Sequence, residues 1–115
     1  MSLDVELYMD VDLGGKEPEH FVIFSENITH NLSTMAEKAG IYRALWRPDE
    51  LYLANAGNLI SYLEDGLRRL EGDPEYYRTF DPENGWGKYE NLVNFVREYL
   101  KACRKYPKAQ VDADR

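Results

Sequence analysis

Residues 4–12, DVELYMDVD, alternate without a break: Val5, Leu7, Met9 and Val11 fall on one side, Asp4, Glu6, Tyr8, Asp10 and Asp12 on the other. Successive side chains of a strand point to opposite faces, so this run predicts a strand with one face buried and one in water. A strand of that kind needs a pairing partner and a cover for its apolar side. The turn LGGKEPEH follows, and then FVIF, a short apolar run of good β-formers, which predicts a second strand over 21–26 antiparallel to the first.

From there the apolar period changes to that of a helix. Leu32, Met35, Ala36 and Ala39 predict a short helix near 30–39, ended by Gly40. Thr34 and Glu37 have capping-box spacing, with Thr29 and Asn31 as other candidate caps. IYRALWRPDE is ambiguous apart from Pro48, which suits a first helical position. Ala56, Leu59, Ile60, Leu63, Leu67 and Leu70 predict a helix within 53–71, interrupted only by Gly66. Asp73-Pro74 reads as cap and first residue of a brief helix carrying Tyr76, Tyr77 and Phe80. Tyr89, Leu92, Val93, Val96, Leu100 and Cys103 predict a last helix over 88–106, with basic residues near its end. AQVDA alternates briefly and is the candidate for a third strand over 109–113.

The order predicts an α+β fold: one domain over 1–115, with a small antiparallel sheet of two or three strands covered by about three main helices. The expected core is Val5, Leu7, Val22, Phe24, Met35, Leu59, Leu63, Leu92, Val96 and Leu100. The chain has 115 residues, of which 43% are apolar, enough for a packed interior without metals or staples. Its net charge of −7 argues against binding nucleic acid or an anionic membrane. Cys103, the only cysteine, falls on a helical stripe and reads as a small buried hydrophobe. No signal peptide or membrane-spanning run is evident, so the expected setting is the cytoplasm.

Two polar corners are the candidate sites. Asn27, Thr29, His30 and Asn31 stand where a strand gives way to a helix, a place where free backbone N–H groups favour anions. His30 could act there as base or ligand contact. The competing reading is local, because Asn and Thr cap helices and close turns wherever they occur. The second corner is Asn84-Gly85-Trp86-Gly87 with Tyr89, in which Trp86 is either a packing plug or a recognition surface. The row Asp4, Glu6, Asp10 and Asp12 is read as a solvated sheet face and not as a metal site, since no ligand-spaced loop accompanies it. His20, after Pro18 and Glu19, reads as an exposed loop residue. The chain has no phosphate-binding glycine loop, no G-x-S-x-G elbow, no H-E-x-x-H and no cofactor motif.

Asn27-x-Thr29-His30-Asn31 leading to Met35, Asp73-Pro74-x-x-Tyr77 and Asn84-Gly85-Trp86-Gly87-x-Tyr89 together resemble a family of small uncharacterised bacterial and phage-encoded proteins. The resemblance spans most of the chain. It implies a bacterial or phage setting and names no activity. Three functions remain in view. The leading one is a non-catalytic binding or interaction protein, with a homo-oligomer as one form, whose surface joins the first corner to Trp86. The second is a binder of, or enzyme on, a small molecule or nucleotide derivative, with His30 as base and Asn27, Asn31 and Asn84 orienting it. In the third, both corners are purely architectural.

Overall fold

The computed structural model describes all 115 residues. It is an α+β fold with a three-stranded antiparallel sheet and helices on one side of it. β1 (Ser2–Val11) and β2 (Glu19–Thr29) form a long hairpin, and β3 (Gln110–Asp114) adds to the other side of β1. α1 (Ser33–Lys38) and α2 (Tyr42–Trp46) follow the hairpin closely. Next come α3 (Ala56–Gly72), the short α4 (Pro74–Arg78) and α5 (Tyr89–Lys105).

The alternation in β1 sets the layering. Leu3, Val5 and Leu7 are fully buried beneath the helices, while Asp4 and Glu6 face the open side of the sheet. α5 lies along the inner face of the hairpin, where Tyr99 stacks on Phe24 with ring centroids 5.9 Å apart. α3 packs on α5, and their stripes join the strand residues in one continuous cluster of 28 buried apolar side chains. Gly66, which looked like a weak point of α3, is a packing requirement: a Cβ there would collide with Cγ2 of Ile41 in the α1–α2 turn. Gly40 (φ +77°) ends α1 in the left-handed conformation that glycine adopts without cost.

The hairpin outruns this cover. β3 pairs with β1 only from Asp4 to Tyr8, so beyond Tyr8 the sheet is two strands wide. At the same point the register of β2 slips: Leu7 pairs with Phe24, Tyr8 with Val22, and Ile23 is left as a bulge. A bulge bends its strand and adds twist. From Met9 to Ile23 no residue is buried. The molecule is accordingly elongated, 53 × 27 × 22 Å, with a radius of gyration of 14.9 Å, where a compact chain of this size would give about 13 Å.

Several expectations shift. β2 is longer than expected, so Asn27 belongs to it and not to the helix entry, while Thr29 is both its last residue and the cap of the turn that follows. His20 is also in β2, opposite Asp10, and not in a loop. Val22, expected in the core, is 49% exposed, and Phe24 is only partly buried. The causes differ: Phe24 faces inward where the helical cover ends, whereas the bulge at Ile23 pairs Val22 with Tyr8 and turns it to the outer face. The other eight expected core residues are buried. The Thr34–Glu37 capping box is not formed; a 3-10 turn at His30–Leu32 leads into α1 and is capped by Thr29.

Candidate functional site

The two polar corners meet. Asn31 Nδ2 donates to the Trp86 carbonyl oxygen at 3.3 Å, across 55 residues of sequence. Gly87 (φ +101°) packs so closely that a Cβ there would lie 2.8 Å from Cγ2 of Thr29. The first corner's loop therefore rests on the second, and glycine at 87 is required both by its backbone angle and by the contact.

The polar groups of these residues are spent within the fold. Thr29 Oγ1 accepts from the Asn31 N–H (3.2 Å), closing the turn that starts the helices. Asn84 Oδ1 accepts from the Trp86 N–H (2.9 Å), a local turn of the kind Asn forms readily. Tyr89 is buried; its hydroxyl donates to the Leu70 carbonyl (2.6 Å) and its N–H to Asp81 Oδ1 (2.7 Å). Burial pushes the Tyr89 hydroxyl above its ordinary pKa, and the Arg78 guanidinium lies over its ring at 4.8 Å. Asn27 lies on the outer, helix-free face of the sheet, where its Nδ2 donates to Ser2 Oγ and Asp4 Oδ1, both at 2.7 Å.

His30 faces inward to Trp46. The indole N–H of Trp46, itself 2% exposed, donates to His30 Nδ1 at 2.8 Å. An accepting Nδ1 is unprotonated, which puts the proton of the neutral ring on Nε2. In that tautomer neither nitrogen has a free lone pair with which to take a proton from a substrate. None of the five main surface clefts is lined by both His30 and Asn84. Of the seven residues singled out from sequence, Trp86 is the one exposed aromatic, at 72%.

Two features were not read from the sequence. The first is Glu26, which pairs with Val5 on the inner face of β2. It lines a groove between β2 and α5 together with Thr29, Gly87, Asn91 and Asn94. Its Oε2 is buried without a partner. Desolvation, helped by the nearby Glu98 carboxylate, raises its pKa to about 7. Its signal was available as a charge at an inward position of an alternating strand.

The second is the distal hairpin, an arm that carries Met9, Val11, Leu13, Phe21, Val22 and Ile23 outside the core. Met9 and Phe21 are cross-strand partners on the inner face, continuing the line of Leu3, Val5 and Leu7 past the last helix. On the outer face His20 Nδ1 lies 2.8 Å from Asp10 Oδ1, and its ring packs on Tyr8. The same outer face places like charges side by side, Asp4 opposite Asp114 and Glu6 opposite Asp112, an arrangement that is mildly destabilising.

No three His, Cys, Asp or Glu side chains are arranged to hold a metal ion. No helix is long and apolar enough to cross a membrane. Comparison with protein-family models, curated proteins and solved structures finds no match to this chain.

Replacing His30 tests its role as acceptor. His30→Ala leaves the buried Trp46 N–H unpaired and is expected to cost about 1–3 kcal/mol in urea denaturation. His30→Asn places Oδ1 near the position of Nδ1 and should recover much of that loss. Equal losses for both variants would exclude the hydrogen bond as the cause.

Glu26 gives a second test. Its folded pKa lies above the unfolded value of 4.5, so the folded state holds the proton more tightly. Its contribution to stability is thus fully present below about pH 4.5 and lost as the pH rises through about 7. Glu26→Gln should therefore gain stability relative to wild type across that interval and hold the gain above it. A difference between the two proteins that does not change with pH would contradict the assignment.

Proposed function

We propose that this protein is a non-catalytic interaction protein whose recognition element is the β1–β2 arm. One observation carries the reading: the apolar alternation of β1 runs on to Met9 and Val11, but the chain's own helices cover it only as far as Leu7. Apolar side chains clustered on a projecting element, uncovered by the rest of the chain, mark a surface that another molecule covers. Trp86, exposed at the joined corners, is a second contact point of the kind interfaces favour.

The placement of the polar groups weighs against a small-molecule or nucleotide-derivative enzyme built on His30. Asn27, Thr29, Asn31 and Asn84 each serve the fold, and His30 is committed to Trp46. The architectural account of both corners is thus retained, with the interaction surface elsewhere. In the bacterial or phage setting implied by the resemblance of its corners, the arm would act in the cytoplasm.

A photo-crosslinking residue placed at Phe21 is expected to give discrete adducts in extracts of the source cell. The same residue at Glu75, an exposed position on the body, is the control. Adducts no more frequent at Phe21 than at Glu75 would contradict the reading.

A further inference from the structure

We propose that the arm docks an extended, basic segment of another protein, which sets apolar side chains against Met9, Val11 and Phe21 and lysine or arginine against the surrounding carboxylates. The inference rests on the interaction reading above and adds the chemistry of the partner.

Charge is the first argument. The arm, residues 9–23, holds four carboxylates, Asp10, Asp12, Glu17 and Glu19, against one base, Lys16, a formal −3 of the net −7. Glu19 pairs with Val11 on the inner face, and Asp12, Lys16 and Glu17 lie toward the tip. An apolar stripe edged by an excess of one sign of charge selects a partner of the opposite sign, because like charges brought together at an interface cost several kcal/mol.

The backbone is the second. β2 is an edge strand, and β3 leaves the outer side of β1 unpaired beyond Tyr8. The arm therefore offers free N–H and C=O groups on both edges, to which an extended segment can add as a strand.

A second copy of this chain pairing arm to arm is a poor occupant, because its arm bears the same negative charge. Nucleic acid and anionic lipid are excluded by the same sign of charge.

The probe is a fluorescein-labelled twelve-residue peptide alternating lysine and valine, with a glutamate–valine peptide as control. Fluorescence anisotropy is read alongside light scattering of the protein alone. The lysine–valine peptide should bind, more weakly as salt rises, and the control should not. Phe21→Ser and, separately, Glu19→Lys should each weaken binding about tenfold or more. Both positions lie outside the core, so each variant should keep the wild-type fold, as read by circular dichroism.

Equal binding of both peptides, or unchanged affinity of both variants for the lysine–valine peptide, would overturn the proposal. A dimer that Phe21→Ser dissolves would overturn it too, by assigning the arm to a second copy. If neither peptide binds but crosslinking at Phe21 gives adducts, the partner chemistry is wrong and the interaction reading stands. If both experiments fail, that reading falls as well.

Discussion

Everything in this structure depends on β1 being paired on both sides while buried on one face. Leu3, Val5 and Leu7 have no exposed surface, and β2 and β3 hold the strand in register from either edge. A slip of one residue would turn those three side chains to water and bring Asp4 and Glu6 into the core, so the register is firmly specified. The helices then have one place to go. α5 lies along the inner face through Tyr99 and Phe95, which contact each other edge to face, and α3 closes over α5. The arm is what remains of the same hairpin where that constraint lapses. Beyond Tyr8 there is neither a third strand nor a helix to define an inside.

The joined corners belong to the constrained half of the molecule. Asn31 and Trp86 tie the end of β2 to the loop before α5, and Gly87 permits that loop to approach Thr29. Trp46 reaches back from α2 to His30. Together these contacts lock the crossing from sheet to helices, which the chain must make within a few residues of Thr29. A dense group of Asn, Thr and His residues at such a crossing is explained by the turns and caps these residues close locally and by the buried Trp46 indole donor, which would otherwise lack a partner. The ion pairs add little to this account, because they are mostly exposed and such pairs contribute roughly 0–1 kcal/mol each.

Much of the fold was legible because period carries it. The alternation in DVELYMDVD and the stripes of α3 and α5 each point to one secondary structure, and the Asp73 cap and Gly40 stop sit where local chemistry puts them. What periodicity cannot supply is the extent of the cover. FVIF has the composition of a core strand, yet Phe21 lies on the inner face past the end of the helices, and the bulge at Ile23 turns Val22 to the outer face opposite Tyr8. The meaning of Gly66 was hidden for a similar reason, since Ile41, the side chain it accommodates, comes from a distant turn. The corners were found as residues and their roles left open between ligand and cap. Choosing required the partners at 46 and 86, which no local pattern announces. Glu26 and the arm were missed as features, although a carboxylate facing inward and an apolar run next to a glycine turn were both visible.

The central claim is that the hairpin has two halves, one held by the core and one left for a partner. Hydrogen exchange of the free protein, followed residue by residue at two protein concentrations, tests it most directly. The account predicts strong protection for Leu3–Leu7 and for those amides of Phe24–Ile28 that point toward β1, and fast exchange for Met9–Val11 and Glu19–Val22, the same at both concentrations, because an uncovered two-stranded ribbon opens locally. Uniform protection along the whole hairpin, or arm protection that grows with concentration, would show that the protein already covers its own arm, and would contradict the account.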